Sequence, residues 1–517
     1  MKRICFLLIL LITLAGCQVT ASPTDHLESG TPTRAISSSP SQQVILPDPE
    51  LFPVSWDERS DFTAGLIPSQ QDILTHLPGA TIYHILVDIQ DDLSRLNGLM
   101  EVRYTNRETV PLNEIYFRLL PNLYQVKMTT ANVKVNKQDA ASEAVGASSS
   151  LRVDLPTPLE PETPIVISME FTIELPPGGG NGLNFVYNSQ ILALAQFYPL
   201  IPVYDEAGWH IEIPSASGDP TYADPGFFRV QVTAPSQYMM AASGVEEEPK
   251  IDGTRQVQVF RAGPVRDFYL CGGTGYTSLT TTRNGIVVNS YSLPSQKEGA
   301  RLALDTAAAA IDSFNQRFAP YPYSEFDIVT IPTAVLGIEY PGITAINEDL
   351  YDLEGNVRGT PNEIYMESTV AHETGHQWFY NLVGSDQLNE PWLDEAVTQY
   401  ATALYYLDAY GRSGEEGYIE SWYARWDRVN REEIPIGLPV AAYDSTNSYS
   451  PIVYGRGPIF LSKLSDKLGE EKFNTFLKKY VEIYSWNIAN TGRFKELAEE
   501  SCGCKLTSLF KEWVFEK

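Results

Sequence analysis

A chain of 517 residues is too long for one compact core, so two or three domains are expected. Hydrophobic content of 43% and aromatic content of 11% are ordinary for globular protein and exclude wholesale disorder. The formal charge of −28, from 65 acidic and 37 basic residues, repels phosphates and excludes nucleic acid as a partner.

The N-terminus reads as a targeting segment. Lys2 and Arg3 precede an apolar run from Ile4 to Leu14, too short to span a bilayer, which ends in Leu14-Ala15-Gly16-Cys17. This ending resembles the bacterial lipoprotein signal, which implies cleavage before Cys17 and acylation of that cysteine. Several acyl chains there would anchor the exported protein to a membrane surface, its only membrane contact. Residues 18–58 are rich in Ser, Thr and Pro and read as a flexible tether. Cys5 leaves with the leader, so Cys271, Cys502 and Cys504 remain, without metal-like spacing. The Cys502-Gly503-Cys504 run either closes a small ring or stays reduced.

Residues 59–281 carry runs of alternating or β-branched residues at 80–89, 99–104, 115–120, 165–175, 227–233 and 257–261. Turn signals such as Gly178-Gly179-Gly180 separate them, so an all-β, sandwich-like domain is expected. From 282 to 517 the pattern changes. A strand at 286–293 precedes an alanine-rich helix at 296–318, a strand at 326–331 and a further strand at 336–340 at a sheet edge. The rest reads mainly as helix. The whole is an α+β multidomain chain, its second part a small mixed sheet followed by helices.

The chemistry concentrates in that second part. His372 and His376 stand four apart, which places both imidazoles on one face of a helix. Glu395 follows nineteen positions later, in a second helix opened by Pro391. Two neutral nitrogens and one carboxylate suit Zn²⁺ and leave a fourth position open, as in a catalytic site. Glu373 sits a step around the same face, placed to act on water at the metal as a base. Ile364, Val370, Ala371, Phe379 and Leu382 are read as the apolar face of the histidine helix.

His372-Glu373-x-x-His376 with Glu395, set in His376-Gln377-Trp378 and Trp392-Leu393-Asp394-Glu395, resembles the aminopeptidase N family of zinc peptidases, gluzincins with a thermolysin-like catalytic domain. Tyr104-Thr105-Asn106 and Pro264-Val265-Arg266-Asp267-Phe268 resemble the family's β domain. The resemblance implies one Zn²⁺ per chain, peptide substrates with a free N-terminus, and release of their first residue. The stretch Leu336-Gly337-Ile338-Glu339-Tyr340 stands where the family's exopeptidase motif lies. Only Glu339 matches at the expected position and is implied to bind the substrate's α-amino group, with Gly337 beside it at the substrate; Leu336, Ile338 and Tyr340 depart from the motif. Val453-Tyr454-Gly455-Arg456-Gly457 implies that Tyr454 hydrogen-bonds the transition-state oxyanion, with Arg456 replacing the family's lysine. Gln196, in Ala195-Gln196-Phe197, resembles a glutamine that lines the first substrate pocket. Many family members carry a large helical C-terminal domain, and none is expected in the residues up to Lys517. His26, His76, His84 and His210 fall outside any such setting and read as solvent or packing residues. An endopeptidase using the same zinc site, or a non-catalytic lipoprotein on a peptidase fold, are the alternatives.

Overall fold

The computed structural model describes residues 46–515, apart from 125, 176–184, 188–189, 216 and 444–445. The expected leader, the lipidation position Cys17, most of the tether, His26 and the triple-glycine turn at 178–180 lie outside the described residues.

The first half is built of strands, as the alternation at 80–89 and its counterparts requires. A nine-stranded sheet runs, in spatial order, through Val245–Glu246, Arg255–Val265, Gly226–Pro235, Thr81–Ile89, Arg95–Thr105, Pro164–Glu174, Lys127–Val135 and Gln138–Asp139, with Lys250–Asp252 also paired to Arg255–Val265. Thr81–Ile89 pairs parallel with Gly226–Pro235, and the other pairings are antiparallel. Ile85, Val87, Met100, Val102, Ile167 and Phe171 share one buried core with Phe117, Leu151 and Val153 of a separate three-stranded sheet. A four-stranded sheet contains Ile191–Ala195, whose five residues are all buried; a continuous apolar run of this kind has no period to announce it.

Two expected boundaries move. Residues 46–58 were assigned to the tether, yet Phe52 and Trp56 are buried, and Trp56 stacks on His84 with ring centroids 4.5 Å apart. Burial of two large rings supplies the apolar area that the preceding Ser- and Thr-rich segment lacks. The junction at 281/282 also cuts a strand. Thr277–Arg283 pairs with Ile286–Ser292, so sheet membership changes between Thr274 and Thr277.

The second sheet runs Thr277–Arg283, Ile286–Ser292, Glu325–Ile331, Ile343–Asn347, Gly337–Tyr340, which leaves Gly337–Tyr340 at the edge as expected. The alanine-rich helix Lys297–Arg317 buries Ala300, Ala303, Ala307 and Ala310, and such small side chains let other backbone approach closely. The histidine helix spans Asn362–Gly375 and contacts it. Its apolar face differs from the expected one. Ile364 is 53% exposed, while Phe379 and Leu382 lie beyond the helix end in the following turn. Pro391–Leu393 forms a separate 3-10 turn, and the next helix begins at Glu395 itself and runs to Trp426 with a break at Gly411 (φ 71°). Cys502 and Cys504 are joined in a disulfide, and Cys271 is buried and free. No helix among the described residues is long and apolar enough to cross a membrane.

Candidate metal centre

Helical spacing stacks His372 and His376, and a close helix–helix approach brings in Glu395. Gly375 makes that approach feasible: a Cβ there would stand 2.9 Å from Thr398 Cγ2 on the glutamate helix. His372 Nε2 lies 3.1 Å from His376 Nε2 and 3.2 Å from Glu395 Oε2, and His376 Nε2 lies 3.5 Å from the same oxygen. Two ligands bonded to one zinc at about 2.1 Å with tetrahedral angles are roughly 3.4 Å apart. The triangle therefore fits Zn²⁺ as it stands. All three side chains are buried.

The surrounding groups orient the ligands. His376 Nδ1 lies 2.6 Å from Asp394 Oδ1 and 3.0 Å from the Phe379 carbonyl, which fixes the tautomer that turns Nε2 toward the triangle. Gln387 donates to the other Asp394 oxygen at 2.5 Å. Burial works against charge on His376, but the carboxylates of Glu339 and Asp394 outweigh it, so this ring attracts positive charge, proton or metal. Burial also opposes charge on Glu395, and the two imidazoles reverse that effect and hold the carboxylate ionised. Asp394→Asn is expected to weaken zinc binding by about 10–100-fold, read by competition with a chromogenic chelator.

The turn after the histidine helix is pinned from the β-rich half. Arg266, 3% exposed, donates to the carbonyls of Tyr380, Asn381, Ala223, Leu382 and Asn487. This gives the Pro264–Phe268 stretch, read above only as a resemblance, a physical task. The backbone carbonyls of a buried turn need donors, and one guanidinium fork supplies them.

Glu373 lies beside the triangle, 6% exposed. Burial pushes its carboxyl up to about 8, with His376 pulling it back and Glu395 reinforcing the rise. Gly337 packs against it: a Cβ at Gly337 would stand 2.7 Å from Glu373 Oε1 and 2.6 Å from Thr369 Cγ2. A Cβ here therefore forces the Glu373 or Thr369 side chain to shift. Gly337→Ala is expected to displace the Glu373 carboxylate and lower turnover by roughly 10–10²-fold with zinc content unchanged, as measured by metal analysis beside steady-state rates.

Glu339, also 6% exposed, faces a pocket next to the triangle. Gln196, Asp219, Thr221, Tyr340, Tyr380 and Gln387 line the same pocket. Among the described residues, Glu339 Oε1 has Gln387 Nε2 at 3.5 Å and His376 Nδ1 at 3.9 Å. Desolvation drives its pKa well above the ordinary carboxylate range. Gln196 is buried with φ at +41°, and its amide donates to Asp267 at 2.6 Å. A non-glycine residue in the left-handed region is held there by its surroundings, which suits a pocket-lining role better than that of a solvated strand residue. Asp219 was missed. Its Gly218-Asp219-Pro220 context signals only a turn, and burial followed by the Glu395 and Asp394 charges raises its pKa to about 7.

Tyr454 lies in a π-helical turn, Ile452–Arg456, and its hydroxyl donates to Glu395 Oε1. The structure thus gives it a partner that the sequence reading did not assign. Arg456 is buried, donating to the carbonyls of Ile434, Trp513 and Glu512 with its guanidinium over the Trp513 ring. Among the remaining histidines, His76 is exposed and His84 is buried by packing, as expected. His210 departs from expectation, standing among carboxylates.

A His-His-Glu triangle with a buried glutamate beside it, on a helical domain that follows a β-rich half, is the donor arrangement of a hydrolytic zinc site. Residues 302–513 match the profile of the Peptidase family M1 domain, and His372, His376 and Glu395 are the candidate ligands for the Zn²⁺ that such a domain implies. Similar curated proteins include Aminopeptidase M1-A of Oryza sativa subsp. japonica, 26% identical over 57% of this chain and 35% of its own, and Aminopeptidase M1 of Arabidopsis thaliana, 25% identical over 76% of this chain and 46% of its own. The chain thus spans between a third and a half of those two relatives. An M1 zinc metallopeptidase from Deinococcus radiodurans shares the fold, with TM-score 0.62 and 20% identity over 84% of this chain and 92% of its own. A mutant form of that peptidase, bound to a Tyr-Ser-Ala substrate, aligns with TM-score 0.61 at 20% identity over 84% of this chain and 94% of its own.

Proposed function

We propose that this protein is a zinc-dependent aminopeptidase that releases N-terminal residues from peptides. The observation that carries the reading is Glu339, a buried carboxylate facing a pocket beside the metal triangle. A desolvated carboxylate with few donors is costly unless a cation meets it, and a peptide's terminal ammonium is such a cation. An ammonium has three N–H donors, and the carboxylates of Glu339 and Asp219 line one pocket. The tripeptide bound by the Deinococcus radiodurans mutant is a ligand of this class and supports the reading.

His372, His376 and Glu395 would hold the zinc, which when bound polarises the scissile carbonyl and acidifies the attacking water. Glu373, with its proton affinity raised by burial, takes a proton from that water and passes it to the leaving amine. Tyr454 donates to the oxyanion that develops as the carbonyl is attacked, exchanging its Glu395 partner for the substrate. Glu339 fixes the amino end, which sets the register of cleavage at the first peptide bond.

Anchoring through Cys17 is part of the same proposal and rests on the leader sequence alone. A panel of aminoacyl reporter amides, assayed with and without a chelator, tests the function. Hydrolysis that chelation abolishes and zinc restores is expected; hydrolysis indifferent to the chelator would overturn the reading.

A further inference from the structure

We infer that His210, Glu212 and Asp386 form a second divalent-cation site, distinct from the metal triangle. His210 follows the short strand Gly208–Trp209, which pairs with Tyr204–Asp205 in the β-rich half. Asp386 lies in the loop between Val383–Gly384 and Pro391–Leu393 of the catalytic half. One ligating atom from each of the three residues lies within 4.8 Å of the others.

The ring geometry matches that of a metal-ligating histidine oriented by a carboxylate. Nδ1 stands 3.3 Å from Glu212 Oε1 and 3.8 Å from Asp386 Oδ2, while Nε2 stands 2.9 Å from Asp205 Oδ2. Ligating histidines characteristically present one nitrogen to the ion and have the other oriented by a carboxylate. Oxygen and nitrogen ligands bonded at about 2.0–2.2 Å to one ion, at angles from square to trigonal, are roughly 2.8–3.8 Å apart. The two separations from Nδ1 fall in that window, and the Glu212 and Asp386 ligand atoms lie within 4.8 Å of each other. Asp386 is also pre-set: Oδ1 accepts the backbone N–H groups of Leu388 and Asn389 at 3.1 and 2.9 Å, leaving Oδ2 toward the ring, and Asn389 Nδ2 donates to this Oδ2 at 2.8 Å and to Glu212 Oε1 at 3.3 Å. The His210 and Asp386 side chains are only 12% and 11% exposed.

Charge counting favours a dication over a proton alone. Three carboxylates surround one imidazole, and a proton on the ring together with the Arg118 guanidinium, whose charge reaches Glu212, still leaves one negative charge in excess. The nearby Arg118 directs its Nη1 donors to the His210 and Glu212 backbone carbonyls, at 3.2 and 2.9 Å. The hydrogen bonds that the His210 ring donates to Glu212 and Asp205 raise its pKa to about 9 despite burial, and the field that draws a proton also draws a metal ion. One imidazole with two carboxylates suits Zn²⁺ or Mn²⁺. The consequence is structural. Such an ion ties the β-rich half to the loop carrying Gln387, whose amide contacts both Asp394 and Glu339.

The test is the metal content of the full chain, dialysed against excess ZnCl₂ or MnCl₂ and then against buffer, for the wild type, His210→Ala, Glu212→Gln and His372→Ala. Glu212 is partly solvent-exposed, so its variant retains the fold if His210→Ala does not. The expected result is two ions in the wild type and one in each variant. His372→Ala should keep the ion that His210→Ala loses, shown by additional loss in the double variant. One ion in the wild type at saturation would mean that His210 is only an ion-paired imidazolium. Two ions retained by both His210→Ala and Glu212→Gln would mean adventitious binding at surface carboxylates. Either result overturns the inference.

Discussion

Glu373→Gln is expected to lower kcat/KM for peptide hydrolysis by roughly 10²–10⁴-fold or more while the zinc content stays at its wild-type value. The substitution keeps the side-chain volume in a site where Gly337 and Thr369 leave no spare room, so packing is preserved. The triangle of His372, His376 and Glu395 does not depend on Glu373, because their mutual distances are set by two helices and by Asp394. Only the proton acceptor is lost. A structural role would give a different pattern, with metal content and melting temperature falling together with the rate. Near-normal activity in a zinc-loaded variant would remove Glu373 from the reaction.

The second large effect concerns Glu339. Glu339→Gln is expected to reduce kcat/KM on peptides with a free amino end by roughly 10²–10³-fold, the loss that follows when one member of a buried charged pair is neutralised. N-acetylating the peptide removes the other member and is expected to abolish cleavage by the wild type. The variant should then discriminate less between the free and acetylated forms, which a general loss of folding would not produce. The carboxylate belongs to an edge strand whose pairing, Glu339 with Thr344, is backbone-mediated and survives the substitution.

The candidate metal ligands were legible because they follow a local rule. Four residues is one helical turn, and a glutamate in the next helix completes a donor set that few other arrangements explain. Glu373 came with the same turn. Glu339 was reached through a partial motif, and its burial supports a reading that the departures at Leu336, Ile338 and Tyr340 had left open. Asp219 was not legible, because a turn aspartate becomes a pocket carboxylate only when the strand carrying Glu339 and the loop carrying Gln387 close around it. His210 was read as a solvent or packing residue for a similar reason: Asp386 is far away in the sequence and reaches it only through the fold. Strands with clear alternation fell where expected, whereas Ile191–Ala195, apolar on both faces, carried no period. The tether boundary failed at Phe52 and Trp56, where composition averaged over a window concealed two anchoring rings.

The most direct measurement digests one peptide in two forms, with a free and an N-acetylated amino terminus, and follows the products by mass spectrometry with and without chelator. The expected result is stepwise loss of residues from the amino end of the free form, an intact acetylated form, and no cleavage of either once zinc is withdrawn. Internal cleavage of both forms at equal rates would contradict the aminopeptidase assignment and leave a zinc endopeptidase in its place.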